Sequence, residues 1–86
     1  MSLTSEQVRA ARELLRWEQR DLAEASGVSL PSVKRLETRP GALAAQERTI
    51  VELRKALEKA GVEFIAENGG GPGVRLRRPP RSIRTK

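Results

Sequence analysis

The sequence predicts a mainly α-helical protein of four to five helices, followed by a short β ribbon and a disordered basic tail. Apolar residues recur at helical spacing as far as Gly61, and beyond it the pattern changes to that of short strands. The last residues are rich in arginine and proline and carry no packing signal. We therefore divide the chain into a helical domain, residues 1–61, a ribbon, residues 62–78, and a tail, residues 79–86.

The first helix is predicted to begin after Thr4 and to run to about residue 16. Thr4 is a favourable N-cap, and Gln7 lies three residues later, where its side chain can reach back to form a capping box. The apolar residues that follow at helical spacing predict the buried face. They are Val8, Ala11, Leu14 and Leu15.

A second helix is predicted from about Gln19 to Ser26, with Glu18 at its N-cap and Leu22, Ala23 and Ala25 presented for packing. Gly27 is expected to end it, because glycine adopts the left-handed conformation after a helix without a steric penalty. Ser29 then caps a third helix, residues 29–38, and Pro31 falls in its first turn, where a missing N–H is harmless. The inward face of this third helix is narrow and consists of Val33 and Leu36.

A longer helix is predicted from about residue 47 to residue 60, with Ile50, Leu53 and Leu57 on one side. Residues 42–45 are a candidate for one additional helical turn. Strands are predicted at residues 62–65 and 74–77, joined by a glycine-rich connection. Because a two-stranded ribbon is marginal by itself in water, it must pack on the helices or pair with another subunit.

The composition excludes several classes of function. The chain contains no cysteine and no histidine, so it offers no disulfide framework and no thiolate or imidazole metal ligand. No base is placed to activate a nucleophile, and the glycine-rich run lacks the lysine and hydroxyl of a phosphate loop. We expect no enzymatic activity and no cofactor. Without an apolar span or a signal peptide, a cytoplasmic protein that does not enter a membrane is expected.

The net charge of +6 is concentrated at the C-terminus. Residues 1–74 contain as many acidic as basic side chains, and the excess lies in the last twelve residues. The side chains that make it up are Arg75, Arg77, Arg78, Arg81, Arg84 and Lys86. The overall charge is therefore no evidence about the helical domain itself.

Seven positions follow the order and intervals of a helix-turn-helix. They are Gln19, Ala23, Gly27, Val28, Val33, Leu36 and Glu37. Over about residues 5–60 the chain thereby resembles the phage-repressor-like family of transcriptional regulators, also called the Xre or Cro type. The resemblance implies a lambda repressor-like fold and sequence-specific binding of double-stranded DNA, with helix 29–38 in the major groove. An ordinary helical hairpin, in which the glycine only ends a helix, is the alternative.

The resemblance also implies roles for individual residues. With Val33 and Leu36 facing inward, the residues expected to contact bases are Leu30, Pro31, Ser32, Lys34 and Arg35. Those expected to contact the DNA backbone are Gln19, Ser29, Thr38 and Arg39. Arg35 is the best candidate for a bidentate bond to guanine. Arg12 and Glu37 are expected to form an ion pair that orients the recognition helix, with two separate exposed charges as the alternative.

Three hypotheses concern partners. The ribbon is a possible dimerisation element, so that a homodimer would place two recognition helices on successive turns of DNA. An antitoxin-like module that binds a toxin or another protein through the ribbon and tail is one alternative function. RNA binding through the arginine-rich tail is another.

Overall fold

The computed structural model describes residues 3–66 and 69–77 of the chain, and the predicted tail lies outside them. Within these ranges the protein is mainly helical, with four helices and one two-stranded antiparallel sheet, as predicted. The elements in chain order are α1 (Ser5–Leu15), α2 (Gln19–Ser26), α3 (Leu30–Thr38), α4 (Glu47–Lys59), β1 (Val62–Ile65) and β2 (Gly73–Leu76). None of the helices described is long and apolar enough to cross a membrane.

The helix ends follow the predicted local chemistry. The backbone N–H of Gln7 donates to the Thr4 hydroxyl at 3.0 Å, and the Gln7 side chain accepts from the Thr4 N–H at 3.0 Å, which completes the capping box. At the start of α2, the N–H of Glu18 donates to the Asp21 carboxylate at 2.8 Å. Gly27 ends α2 in the left-handed conformation, with φ of 78°. These ends depend on residues a few positions apart, so the sequence is sufficient to predict them.

The core lies where the four helices meet β1. Its fully buried large side chains are Val8, Leu22, Val33, Leu53, Leu57 and Val62. Each helix therefore contributes at least one of them, and Val62 extends the same core under the ribbon. Leu3, which precedes α1, and Leu43, which precedes α4, are also buried there.

Two residues predicted to face the core are exposed. Leu14 is 40% exposed, because consecutive helical residues differ by about 100° in direction and Leu15 takes the inward position. Ala25 is also exposed, since the buried Leu22 and the half-buried Ala23 and Ser26 define the inward face of α2, and Ala25 lies about 110° from the middle of that face. In both helices the packing against other elements decides which neighbouring residues face inward, and the apolar pattern of the helix does not.

The predicted additional turn at residues 42–45 does not form. This segment instead runs beside the start of α1, where Ala42 forms an isolated bridge with Thr4 and the Leu43 N–H donates to the Leu3 carbonyl at 3.0 Å. The Glu6 carboxylate accepts the Gly41 N–H at 3.2 Å. Hydrogen bonds from its own backbone N–H and from that of Gly41 lower the pKa of Glu6. Backbone groups that a helical turn would use internally thus bond to another part of the chain.

The ribbon pairs within the chain and packs on the helices. β2 begins and ends one residue earlier than predicted, and Val62 lies opposite Leu76 while Ile65 lies opposite Gly73. β1 packs against α1 and α4, and β2 packs against α1. The side chain of Gln7 donates to the Gly73 carbonyl at 3.1 Å. The expectation that the ribbon must find a packing partner is therefore met inside one chain.

Candidate nucleic-acid interface

The connection between α2 and α3 is a short turn held by hydrogen bonds. The Gly27 N–H donates to the Ala23 carbonyl at 2.9 Å, which closes the last turn of α2. Ser26 then bridges the corner, since its hydroxyl donates to the Leu22 carbonyl at 2.7 Å and accepts the Val28 N–H at 3.1 Å. Val28 is half-buried and packs on the core. These hydrogen bonds and the packing of Val28 hold the turn between α2 and α3 in one conformation.

The two faces of α3 differ sharply in burial. Val33, Leu36 and Glu37 are buried against the rest of the domain. On the other face Pro31, Lys34, Arg35 and Thr38 are exposed, while Leu30 and Ser32 are half-buried. The five residues predicted to contact bases thus lie outside the core, and two of them are partly covered. Glu37 is the single acidic residue of α3, so the exposed face carries only cationic and neutral side chains.

Arg12 and Glu37 form a bidentate ion pair. Arg12 Nε lies 2.8 Å from Glu37 Oε2, and Arg12 Nη2 lies 2.9 Å from Glu37 Oε1. The side chains are 13% and 3% exposed, respectively, so the pair is largely removed from solvent. The hydrogen bonds to Glu37 raise the pKa of Arg12, against the opposing effect of burial. Because a paired guanidinium and carboxylate fit in one plane, this contact restricts the rotation of α3 relative to α1.

Two further side chains converge on Glu37, and the sequence prediction assigned neither to it. Arg9 donates from Nη1 to the Glu37 carbonyl at 2.6 Å, and Gln19 donates from Nε2 to Glu37 Oε1 at 3.0 Å. Arg12 also donates to the Trp17 carbonyl at 2.9 Å. We call Arg9, Arg12, Gln19 and Glu37 the Glu37 network. Arg9 lies three residues before Arg12 and therefore on the same side of α1. This spacing in the sequence could have identified Arg9 as a second donor to Glu37.

The network changes the interpretation of Gln19. The resemblance implied a bond from its amide to a DNA phosphate, whereas in this structure one amide hydrogen is directed to Glu37. A side-chain amide carries two hydrogens, so a second N–H is available for a phosphate. Gln19 therefore links the start of α2 to the end of α3.

The remaining residues predicted to contact the DNA backbone lie around α3. Ser29 donates to the Ser32 hydroxyl at 2.9 Å, and Thr38 donates to the Lys34 carbonyl at 2.8 Å, so both hydroxyl hydrogens bond within α3 and its cap. Arg39 follows directly after α3 and is exposed. Of these residues, Arg39 presents a cation to solvent without rearrangement.

Grooves lie on both sides of α3, and each contains a cation that the sequence analysis did not single out. Between α3 and the start of α2 lie Arg20 and Lys34. Between α3 and the start of α4 lie Arg35 and Arg48. The acidic groups at these two grooves include Glu13 and Glu18 on the first and Glu52 on the second. Arg20 lies in the first turn of α2 and Arg48 in the first turn of α4. Those positions in the sequence could have identified both residues.

Comparison of the chain with known protein families and with curated proteins finds no match.

Proposed function

We propose that this protein is a sequence-specific DNA-binding transcriptional regulator of the phage-repressor-like type, which inserts α3 into the major groove. The observation that carries the proposal is the two-sided character of α3. One face is fixed by Val33, Leu36 and the Glu37 network, and the other presents Lys34 and Arg35 with no exposed carboxylate on the helix. A rigidly held helix with a cationic outer face has the properties needed to read base edges.

The dimensions and chemistry of α3 fit this role. The helix has nine residues, and an α-helix with its side chains is about 10–12 Å across, which a major groove about 12 Å wide admits. Arg35 supplies a planar guanidinium that can donate two hydrogen bonds to one guanine. Lys34 supplies a flexible donor to guanine or phosphate. Leu30 and Pro31 offer apolar contact with a thymine methyl. The preferred sequence is therefore expected to contain both a guanine and a thymine contact within one half-site.

Cations flanking α3 would hold the domain on the DNA backbone. Arg20 and Arg48 lie on opposite sides of the helix, and Arg39 follows its last residue. The first amides of α4 add donors, since Gln46 at its N-cap makes no side-chain cap bond. Contacts of this kind set the position and depth of the recognition helix but do not select a sequence.

The test begins with selection of bound duplexes from a random pool by the full chain, followed by affinity measurements on the enriched sequence. Arg35→Ala is expected to weaken binding to that sequence roughly 5- to 150-fold, equivalent to about 1–3 kcal/mol, and to relax selectivity at one position. Lys55→Ala is the matched control, because Lys55 is an exposed cation on α4 outside both grooves that flank α3.

The two variants distinguish groove recognition from general attraction of charge. If Arg35→Ala and Lys55→Ala weaken binding equally on every duplex, α3 does not read the major groove and the proposal is wrong. A protein that enriches no DNA sequence but retains single-stranded RNA would support the alternative of RNA binding.

A further inference from the structure

Arg16 stands at the end of α1 in a conformation that favours glycine. Its φ of 58° and ψ of 38° lie in the left-handed region. The Arg16 N–H donates to the Glu13 carbonyl at 3.0 Å, and the Trp17 N–H donates to the Arg12 carbonyl at 2.9 Å, which together form a Schellman motif. At the end of α2 the left-handed residue is Gly27, with φ of 78°. The chain therefore uses glycine at one left-handed helix end and keeps a strained arginine at the other.

Arg16 lines the groove between α3 and the start of α2, which we call the α2–α3 groove. The other exposed charged residues that line it are Glu13, Glu18, Arg20 and Lys34. Their two positive and two negative charges cancel. The remaining charged residue of the groove, Arg12, is neutralised by Glu37. Arg16 consequently gives the α2–α3 groove its net positive charge.

The guanidinium of Arg16 is available to bind an anion. Arg16 is exposed, and within residues 3–66 and 69–77 the ion pairs join Arg12 to Glu37 and Arg75 to Glu63. A guanidinium has five N–H donors in a planar fork, which matches the oxygens of a phosphate. The groove beside α3 thus contains an unused donor of the kind that binds a nucleic-acid backbone.

The backbone that carries Arg16 is tied to α3. The carbonyl of the next residue, Trp17, accepts a hydrogen bond from Arg12 Nη1 at 2.9 Å, and Trp17 packs on the core. The same Arg12 guanidinium binds Glu37 on α3 through Nε and Nη2. A contact made by Arg16 therefore acts on a segment whose position relative to α3 is already fixed.

We propose that Arg16 binds a phosphate of the DNA backbone beside the major groove that α3 enters, and that the strained conformation is retained for this contact. The inference rests on the proposed function, because it requires a duplex in contact with α3. Glycine would end α1 without strain but would leave the α2–α3 groove neutral. Arg16 contributes affinity on every duplex, whereas Lys34 and Arg35 select the sequence.

Salt titrations of binding test the contact, using the duplex that the wild type selects and a duplex of unrelated sequence. Arg16→Gly is expected to weaken binding about three- to tenfold on both duplexes and to lower the slope of log affinity against log salt by about one. Arg16→Lys keeps the charge and should bind within about twofold of the wild type. Lys55→Ala is the matched control, since it removes an exposed cation outside the groove and should leave the slope unchanged.

Two comparisons separate loss of the contact from a change in the fold. Arg16→Gly relieves strain and should stabilise the domain, so weaker binding by this variant is not due to unfolding. Arg16→Ala adds no backbone freedom and should weaken binding as much as Arg16→Gly does. Normal binding by Arg16→Ala would attribute the effect of glycine to a more flexible turn and would overturn the contact.

Other outcomes distinguish this inference from the proposed function. If the wild type selects a sequence but Arg16→Gly loses no more affinity than Lys55→Ala, Arg16 binds no phosphate and the proposed function stands. A loss confined to the selected duplex with an unchanged salt slope would also overturn the phosphate contact. If the wild type selects no sequence but Arg16→Gly still lowers affinity and slope, the contact stands and the proposed function is wrong.

Discussion

Single residues show where the chain accepts local strain. Arg16, which ends α1, has φ of 58° and ψ of 38° and is the one non-glycine residue with positive φ in the part of the chain described. Its backbone N–H bonds to the Arg12 and Glu13 carbonyls, so the conformation is imposed by helix termination. The left-handed region costs an ordinary residue about 1–2 kcal/mol. The left-handed conformation of Arg16 therefore lowers the free energy of unfolding of the domain.

Replacement of Arg16 by glycine is expected to stabilise the domain. Arg16→Gly should raise the free energy of unfolding by about 0.5–1 kcal/mol, because relief of strain exceeds the greater entropy of glycine in the unfolded chain. Urea denaturation followed by circular dichroism measures the change. Arg16→Ala is the control, since alanine retains the strain and removes only the side chain. Equal stabilisation by both variants would attribute the gain to lost charge rather than to the backbone.

At the scale of elements, the Glu37 network joins α1, α2 and α3. Its donors come from Arg9 and Arg12 on α1 and from Gln19 on α2, and its acceptor lies on α3. A buried ion pair of this kind contributes little net stability, since both charges lose their hydration. We infer that it serves mainly to fix the orientation of α3.

Removal of one or both partners of the Arg12–Glu37 ion pair should show how much net stability the pair contributes. Glu37→Leu leaves the Arg12 guanidinium largely buried without its carboxylate and is expected to destabilise the domain by about 3 kcal/mol. The double variant Arg12→Met with Glu37→Leu should recover most of that loss, because no unpaired charge remains. Urea unfolding of the wild type, both single variants and the double variant gives the coupling free energy. A double variant as unstable as Glu37→Leu would show that the pair contributes directly to stability.

At the scale of the whole molecule, charge is divided between a balanced domain and a basic C-terminus. Residues 1–74 are neutral overall, yet α3 presents its cations on one side. Under the proposed function, the helical domain would select the DNA sequence. The C-terminal cations would add sequence-independent attraction to the phosphate backbone.

Deletion of residues 79–86 separates these two contributions. The deletion removes Arg81, Arg84 and Lys86, so the slope of log affinity against log salt is expected to decrease by up to about three. Binding should become weaker on every duplex while the ratio of specific to non-specific affinity is retained. Salt titrations of binding by the full and shortened chains measure both quantities. Loss of nearly all binding would instead assign nucleic-acid binding to the tail.

The sequence by itself determined the features that depend on neighbours along the chain. The capping box at Thr4, the left-handed Gly27 and the Ser29 cap each require residues no more than a few positions apart. The limits of α2 and the inward positions of α3 follow from the same local patterns. Local hydrogen bonds and helical periodicity act without reference to the rest of the fold, which is why they can be read directly.

Tertiary structure decided what depends on residues distant in sequence. The donors to Glu37 lie 18 to 28 residues away, and Gln7 reaches Gly73 across 66 residues. Packing between elements places Leu15, and not Leu14, against the core. It also places residues 42–45 beside α1, where they do not form the predicted helical turn. It also left β2 with an open edge. These outcomes depend on which surfaces meet, and no pattern within one segment specifies its partner in another.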